Sequence, residues 1–239
     1  VLKADDPELA GGVLRVEKKH SLTIKQVTFG MGVGDISAEY LGSLGLYGER
    51  FLLRVGGEEV TCTIPQLGVH NVSNAAAAAA CAKAMFPDLK VSAIAEALAS
   101  ARSAPMRLET STIGRLTVVN DCYNANPVSM AAAIEVAEKL AAGHKFVLAL
   151  GDMRELGEQS EYFHRELGKK AAASGASQIV VFGEFSEAML EGAVCAGHKR
   201  VFRANSMEEV AQFVLDDRDT DLVLFKASRG VQLEKAIQI

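Results

Sequence analysis

The chain has 239 residues, of which 49% are hydrophobic and 23% are charged, and its formal net charge at pH 7 is −5. This composition is typical of a globular protein, and the length allows one large or two modest domains that each bury a core. The acidic balance argues against a protein that binds nucleic acid mainly by neutralising phosphates, so we expect no nucleic-acid partner, although a local basic patch could hold one anionic ligand.

The first half of the chain reads as strands followed by helices. Glycine-rich turns separate four strand-like segments between residues 20 and 64, which predicts a β-meander. The segments are "LTIKQVTFG", "DISAEYLGS", "RFLLRVGG" and "EVTCTIP". Residues 70–86 and 91–101 then show helical spacing, and six consecutive alanines in the first of these favour a helix with a smooth face that can lie against a sheet. We predict a first domain over residues 1–104.

The second half alternates apolar strands with helical segments. The predicted strands are residues 116–119, 145–150, 178–182, 200–202 and 222–225, and the predicted helices are 127–142, 160–174, 184–195, 206–216 and a short 229–237. Near-continuous apolar strands that alternate with helices indicate a parallel sheet covered on both faces. We therefore predict an α/β domain over residues 105–239, with a Rossmann-like, doubly wound and mostly parallel sheet.

Polar residues follow each predicted strand of this domain. They are Asn120 and Asp121 after the first strand, Gly151 to Met153 after the second, Gly183 and Glu184 after the third, Asn205 after the fourth, and Lys226, Ser228 and Arg229 at the fifth. Ligands of open parallel sheets bind at the carboxyl ends of the strands. We therefore expect these residues to share one rim, with Asp121 and Arg229 on the same side of the sheet.

The stretch "VVNDCYNANPVSM" (118–130) carries the densest group of polar residues. Asn126 can cap the next helix and Pro127 suits its first position, so these two residues have a sufficient structural explanation. Capping does not explain Asp121, Tyr123 and Asn124. A carboxylate at a strand end suits ribose hydroxyls or a cation, and side-chain amides suit a peptide-like ligand.

Four other features leave two interpretations open. In "KASRG", Ser228 and Arg229 could seat a carboxylate or phosphate, or could simply cap a terminal helix. "GDMRELG" (151–157) suits either a turn or a ligand contact. A lone histidine on a helix, His164, favours packing over catalysis. Asn71 and Asn74 stand three apart and face the same way, which suits either a purine edge or helix capping.

The cysteines and the first residues bear on the compartment. The four cysteines, at positions 62, 81, 122 and 195, form no C-x-x-C pair, so we expect reduced thiols in a cytoplasmic protein and no metal site built on them. No leader and no apolar run near 18 residues is visible, so we expect neither export nor membrane insertion. Because the sequence opens on "VLKADDPELA" without an initiator methionine, we expect a piece of a larger protein.

Five stretches together resemble the Mur ligases in order and spacing. They are "HNVSNAAAAA", "MRLE", "NDCYNANPVSM", "GDMRELGEQSEYFH" and "KASRG". "YNANP" and "GDM-ELG" are the most specific markers, and they are most similar to the members that add D-alanyl-D-alanine to UDP-N-acetylmuramoyl-tripeptide. Asn120 and Ala227 depart from the Asp and Gly of many relatives, which weakens the subfamily assignment only slightly.

The resemblance implies a domain assignment and a reaction. Residues 1–104 would end the family's central ATPase domain, residues 105–239 would form its C-terminal domain, and residues 103–109 would act as a hinge. The implied reaction is ATP-dependent amide formation through an acyl phosphate. The protein is expected to be a monomer. No G-x-x-x-x-G-K-[ST] loop occurs, so the phosphate loop and the Mg²⁺ ligands are expected outside this chain, which alone would be inactive.

The resemblance also implies roles for matching residues. Asn71 and Asn74 would contact adenine, and Asp121 would hold the ribose. Arg107 would approach the ATP phosphates as the catalytic residue. The residues near D-alanyl-D-alanine would be Tyr123, Asn124, Asn126, Ser228 and Arg229.

Two rival functions remain compatible with the sequence. One is a sibling ligase, either a folylpolyglutamate synthase or another Mur enzyme, that shares the nucleotide residues and adds a different amine. The other is a non-catalytic α/β module that binds a nucleotide or a peptide.

Overall fold

The computed structural model describes all residues from Val1 to Ile239 and divides into two compact units, Val1–Arg102 and Ser103–Ile239. The predicted boundary between residues 104 and 105 lies close to this division. None of the helices combines the length and apolar character needed to cross a bilayer.

The first unit holds one five-stranded sheet and three helices. The strands are β1 (Leu2–Lys3), β2 (Thr28–Met31), β3 (Ile36–Ser43), β4 (Glu49–Val55) and β5 (Glu58–Ile64), and the helices are α1 (Pro7–His20), α2 (Val69–Met85) and α3 (Val91–Ala99). The strands lie side by side in chain order. Strands β3, β4 and β5 pair antiparallel, as a meander requires, whereas β1, β2 and β3 pair parallel. The predicted meander is therefore correct for β3–β5 and wrong for β2.

The core of the first unit forms where β4 faces the alanine-rich helix. Alternate residues of a strand point to one face, and Phe51, Leu53 and Val55 of β4 are buried in this way. They share one core cluster with four buried alanines of α2, at positions 75, 76, 79 and 80. The alanine run thus provides the smooth face that the sequence predicts.

Two features of the first 30 residues differ from the prediction. Helix α1 was not predicted, although Asp6 caps it by accepting from the amides of Glu8 and Leu9, and Pro7 takes its first position. The strand predicted from residue 22 begins only at Thr28. Residues 21–26 are exposed, so this segment has no buried face to pack in a sheet, and the Glu17 carboxylate accepts the Ile24 N–H.

The second unit is a doubly wound α/β domain. Its strands are β6 (Glu109–Ile113), β7 (Leu116–Asp121), β8 (Phe146–Gly151), β9 (Gln178–Phe182), β10 (Val201–Ala204) and β11 (Leu222–Lys226), and its helices are α4 (Pro127–Ala141), α5 (Ser160–Ala173), α6 (Ser186–Cys195) and α7 (Met207–Asp216). The order across the sheet is β10-β9-β8-β11-β7-β6. All strands except β6 run parallel. The predicted fold class is confirmed.

The strand order explains how helices cover both faces. The chain steps in one direction from β7 to β10 and then returns to β11. Because parallel crossovers are right-handed, α4, α5 and α6 lie on one face and α7 on the other. Val210 and Val214 of α7 share their core cluster with Leu233 and Ala236 from the end of the chain.

Two details of this unit differ from the prediction. The antiparallel edge strand β6 was missed because all its residues are exposed, so no apolar pattern marks it. The last predicted helix, 229–237, is wrong: two short 3₁₀ segments replace it, Arg229–Val231 and Leu233–Gln238. Gln232 between them is left-handed, with φ of 59°, which no residue of a continuous helix adopts.

Helices α5 and α6 approach closely because each has a glycine at the crossing. A Cβ atom at Gly168 would collide with the Met189 carbonyl oxygen and lie 2.9 Å from the Ala193 nitrogen, and one at Gly192 would collide with the Arg165 carbonyl oxygen. Both obstacles are backbone atoms, which cannot move aside as a side chain can. The two glycines therefore set the distance between α5 and α6.

Gly168→Ala is expected to lower the free energy of unfolding by about 3 kcal/mol, because the methyl group forces the two helices apart. The matched control is Gly12→Ala in α1, where the new Cβ would meet nothing nearer than the Arg15 side chain at 3.8 Å. This control should be neutral or stabilise slightly, since alanine favours a helix. Urea denaturation measures both, and equal effects would contradict the packing argument.

Candidate functional site

The carboxyl ends of the parallel strands lie at one level of the sheet. Lys226, the last residue of β11, pairs in register with Asp121 of β7 and with Leu150 of β8. Phe182, which ends β9, pairs with Gly151 and with Ala204. The loops after these strands therefore share one rim, as predicted.

A buried ion pair joins β7 and β11 at this rim. The Lys226 Nζ atom lies 2.6 Å from Asp121 Oδ2 and 3.0 Å from the Asn124 carbonyl oxygen. The side chains of Lys226 and Asp121 are only 2% and 14% exposed. The second carboxylate oxygen of Asp121 accepts the Leu108 N–H at 3.1 Å. Asp121 thus fixes Lys226 on one side and the segment before β6 on the other.

Sequence reasoning placed Lys226 at the rim but gave it no role. The available signal was a lysine that ends an otherwise apolar strand. Such a residue is rarely buried without a charged partner, so a carboxylate at the neighbouring strand end was its natural partner.

Ser228 clamps three loops of the rim together. Its hydroxyl accepts the Arg154 N–H at 2.9 Å and donates to the Ala125 carbonyl at 3.4 Å. Its own amide donates to the Asp152 carbonyl at 2.9 Å. Because Ser228 is 4% exposed, its observed contribution is to hold the loops in place.

Asp152 of "GDMRELG" caps the loop that follows β9 and leads into α6. Its carboxylate accepts the N–H groups of Glu184 at 2.7 Å and Phe185 at 3.0 Å, just before α6. Gly183 adopts φ of +120°, and a Cβ there would collide with this carboxylate. Of the two interpretations of this motif, the contacts of the Asp152 side chain support the turn, because both of its oxygens accept backbone N–H groups.

Asp152→Asn is expected to lower the unfolding free energy by about 2 kcal/mol, because an amide turns one N–H towards a backbone N–H and removes the charge that the two donors stabilise. Thermal and urea denaturation measure the change. The control is Asp219→Asn, whose carboxylate is 76% exposed and pairs with Lys145 at the surface. The control should leave the midpoint unchanged, and a matching loss in both variants would argue against the capping role.

His164 is a packing residue, which confirms the preferred interpretation. It is fully buried, and its ring stacks on Phe185 with centroids 4.7 Å apart. Nε2 accepts the Met153 N–H at 2.9 Å and Nδ1 lies 2.6 Å from the Ser160 carbonyl oxygen, to which it donates. Both ring nitrogens are therefore engaged inside the protein.

Asn126 caps α4 as predicted. Its Oδ1 accepts the Ser129 N–H at 2.8 Å, the Ser129 hydroxyl oxygen accepts the Asn126 N–H at 3.0 Å, and Pro127 takes the first helical position. The cap accounts for the side-chain oxygen of Asn126. Asn126 therefore sets the direction in which the preceding loop enters α4.

Cys122 lies inside the same loop but is not a nucleophile. Its side chain is buried, and this burial, followed by the negative charge of Glu234, raises the pKa of the thiol to about 12. The thiolate is the reactive form, so Cys122 stays protonated and unreactive at neutral pH.

Exposed side chains remain available for a ligand at this rim, and three of them lie together. Tyr123 is 46% exposed, and the Arg107 guanidinium lies over its ring, 4.2 Å from the centroid. Asn124 is exposed beside Tyr123. None of the ion pairs in the structure involves Arg107, so its N–H groups are free to bind an anion.

The backbone beside Arg107 is held in an unusual conformation. Met106 and Leu108 have φ of 55° and 51°, in the left-handed region that residues with a Cβ rarely adopt. The Met106 N–H donates to the Glu109 carboxylate at 2.9 Å, and the Met106 carbonyl accepts the Tyr123 N–H at 3.1 Å. These bonds fix Arg107 against the loop that carries Tyr123.

Arg229 belongs to the same group of residues. Its Nη1 lies 2.8 Å from the Met106 sulfur and 2.7 Å from Glu234 Oε1. Since Leu108 bonds Asp121 and Met106 contacts Arg229, both predicted site residues border the same short segment. The expectation that Asp121 and Arg229 lie on one side of the sheet is confirmed.

Asn71 and Asn74 lie in the first unit, inside the first two turns of α2. The Asn74 Nδ2 donates to Asn71 Oδ1 at 3.0 Å, so the two amides face the same way, as predicted. Asn71 Nδ2 donates to the Leu67 carbonyl at 2.8 Å. The N-cap is Gly68, which excludes the capping interpretation. The exposed Asn74 keeps its amide oxygen for an external donor.

A buried carboxylate supports this helix start. Glu49, 4% exposed, accepts the Gly68 N–H at 2.7 Å and the Tyr40 hydroxyl at 2.8 Å. Burial, together with this hydrogen bond, raises the pKa of Tyr40 to about 12. Across residues 1–239, no three His, Cys, Asp or Glu side chains lie close enough together to hold a metal ion.

Comparison with known proteins decides the family. Residues 106–229, just over half of the chain, match the family described as "Mur ligase, glutamate ligase domain". The chain belongs to the Mur ligase family. Of the site residues in the second unit, all lie within the matched Mur ligase segment, whereas Asn71 and Asn74 precede it.

Individual relatives of this Mur ligase chain carry a more specific name. The UDP-N-acetylmuramoyl-tripeptide–D-alanyl-D-alanine ligase of Bacillus subtilis is 40% identical over 187 residues, which are 77% of this chain and 40% of that protein. The Treponema pallidum ligase of the same name is 37% identical over 214 residues, 87% of this chain and 44% of that protein. A crystal structure of MurF from Acinetobacter baumannii superposes with a TM-score of 0.81 at 29% identity, over 99% of this chain and 50% of that one. This Mur ligase chain thus spans about half the length of its relatives or less.

Proposed function

We propose that the chain is part of an ATP-dependent ligase that adds D-alanyl-D-alanine to UDP-N-acetylmuramoyl-tripeptide in peptidoglycan synthesis, in the cytoplasm and as a monomer. The named relatives support this substrate pair. The observation that carries it is the rim itself, where the unpaired Arg107 guanidinium, Tyr123, Asn124 and Arg229 border one short segment. An anion-binding group beside exposed amide and phenol groups suits a phosphorylated peptide and a peptide acceptor.

The proposed reaction has two steps. A carboxylate of the tripeptide attacks the γ-phosphorus of ATP and forms an acyl phosphate, with ADP as the leaving group. The amine of D-alanyl-D-alanine then attacks the acyl carbon, and the tetrahedral intermediate expels phosphate as the amide forms. Catalysis of such transfers consists mainly of positioning and charge neutralisation. Arg107 is suited to the second task, since a guanidinium binds phosphate oxygens through two parallel N–H groups.

On the nucleotide side, we propose that Asn71 and Asn74 bind adenine and that Asp121 binds the ribose. The free amide oxygen of Asn74 can accept from the exocyclic amine of the base, and the bond between the two amides orients it. Asp121 already holds Lys226 and the Leu108 N–H. Each carboxylate oxygen accepts more than one hydrogen bond, so a ribose hydroxyl can be added to this arrangement.

On the acceptor side, we propose that Tyr123, Asn124 and Arg229 contact the dipeptide. Asn126 and Ser228 belong to the same group but act by holding it, since the first caps α4 and the second is buried as a clamp. Arg229 is the group suited to the terminal carboxylate of the dipeptide.

We further propose that residues 1–104 are the end of a central ATP-binding domain and residues 105–239 the C-terminal ligase domain. No three His, Cys, Asp or Glu side chains of this chain lie close enough together to hold a metal ion, and we propose that the Mg²⁺ ligands and the phosphate loop lie outside this chain. The 239 residues alone are expected to be inactive.

The test is phosphate release by the complete gene product. We expect release from ATP only when UDP-N-acetylmuramoyl-tripeptide and D-alanyl-D-alanine are both present. Single amino acids should replace the dipeptide poorly. Equal or faster release with glutamate and a folate would favour a folylpolyglutamate synthase, and nucleotide binding without release under any combination would favour a non-catalytic module.

A further inference from the structure

Glu234 is the one residue whose buried side-chain polar atoms are not all satisfied. Its Oε2 is the only buried side-chain nitrogen or oxygen atom of residues 1–239 without a hydrogen-bond partner. Its Oε1 lies 2.7 Å from Arg229 Nη1. The Glu234 side chain is 16% exposed and that of Arg229 is 57% exposed. A mostly buried carboxylate therefore depends on one largely exposed guanidinium.

The protein core fixes the position of Glu234. The residue lies in the 3₁₀ segment Leu233–Gln238, between Leu233 and Ala236, which are both buried in the core cluster that includes α7. Cys122, in the loop that carries Tyr123, belongs to the same core cluster as Leu233 and Ala236, so the segment that carries Glu234 packs against that loop. The guanidinium, by contrast, extends towards solvent.

Because Glu234 is mostly buried and Arg229 is largely exposed, the ion pair restricts Arg229 more than it restricts Glu234. Holding an exposed arginine in one place costs much of its rotamer freedom. Because of this cost, ordinary surface ion pairs do not fix the position of the arginine side chain. Here Glu234 is flanked by buried core residues and has no other hydrogen-bond donor, so the contact restricts Arg229. Only one of the five N–H donors of the guanidinium meets Glu234, which leaves others to bind a carboxylate with two bonds.

We propose that Glu234 is a positioning residue, which holds the Arg229 guanidinium in place to bind the terminal carboxylate of the acceptor. The proposal rests on the proposed function, in which Arg229 contacts D-alanyl-D-alanine. Glu234 lies outside the segment that matches the family, residues 106–229.

Three substitutions separate position from charge. Glu234→Asp keeps the charge but shortens the side chain by one C–C bond, about 1.5 Å, so it cannot reach Arg229 from the same backbone. Glu234→Gln keeps the reach and an acceptor oxygen but loses the charge. Glu234→Ala loses both. In the complete gene product, we expect Glu234→Ala and Glu234→Asp to raise KM for D-alanyl-D-alanine about tenfold, with Glu234→Gln less affected. KM for ATP should stay constant.

The same substitutions in an Arg229→Ala background complete the test. If Glu234 acts through Arg229, its replacement has no further effect on the dipeptide KM there. Equal changes in KM for ATP and for the dipeptide, or additive losses in both backgrounds, would overturn the proposal in favour of a structural role.

Failure of the proposed function would be visible separately. It would appear as an unsubstituted protein that releases no phosphate with the dipeptide, and the positioning proposal for this acceptor would then fall with it. The contact itself is still measured by urea denaturation of the single and double variants, where a coupling below about twofold in the unfolding equilibrium constant would show that Glu234 does not hold Arg229.

Discussion

Lys226→Met is expected to lower the free energy of unfolding by about 3–5 kcal/mol, because it leaves the Asp121 carboxylate buried without its cation. The two atoms of the pair lie 2.6 Å apart, and the Lys226 side chain is 2% exposed, so water cannot take over the role of the ammonium. Lys226 also holds the Asn124 carbonyl. The proposed ligase activity of the complete gene product should therefore fall with stability, since the loop of Tyr123 and Asn124 loses its support. Urea denaturation and phosphate release measure the two effects.

The double variant Lys226→Met with Asp121→Asn distinguishes the effect of losing the ion pair from the effect of leaving a buried carboxylate without a cation. Neutral side chains at both positions remove the uncompensated carboxylate, so the double variant should recover a large part of the lost stability. Activity should not recover, because the loop still lacks its anchor and the proposed ribose contact loses its charge. A double variant that is less stable than Lys226→Met alone would show that the ion pair is not the source of the effect.

That Lys226 pairs with Asp121 could not be derived from local sequence, and the reason is topological. The apolar runs predict that β7 and β11 exist and that both end at the same rim. They do not predict that β11, the last strand, is inserted between β7 and β8. Only this insertion places Lys226 beside Asp121. The same insertion lets Ser228 reach both Ala125 and Arg154, so these contacts of Ser228 could not be predicted from local sequence either.

Other misses have different causes. Asp6 and Pro7 mark the start of α1 clearly, and that helix could have been predicted from its cap. Strand β6 could not, since an exposed edge strand needs no apolar alternation. Gln232 gives no warning of its left-handed backbone, where glycine would have done so. The roles of Asn126 and Pro127 were predicted correctly because a helix cap depends only on neighbouring residues.

Arg107→Ala is expected to lower kcat for phosphate transfer by about 10³-fold or more, with little effect on stability. Loss of one arginine costs about 10³–10⁵ in rate in related phosphoryl transfers, because the guanidinium neutralises charge that develops on the moving group. The contact of Arg107 with the Tyr123 ring contributes at most about 1 kcal/mol, as its side chain is exposed. The complete gene product with both substrates and ATP provides the assay.

Two controls identify the reason for the loss. Arg107→Lys keeps a positive charge but not the two parallel N–H donors, so it should recover only a small part of kcat. Arg102→Ala removes an exposed arginine that makes none of the ion pairs in the structure and should leave kcat unchanged. A full recovery in Arg107→Lys would mean that charge alone suffices. An unchanged kcat in Arg107→Ala would remove Arg107 from the phosphate site and leave Tyr123, Asn124 and Arg229 as a peptide-binding surface without a catalytic group.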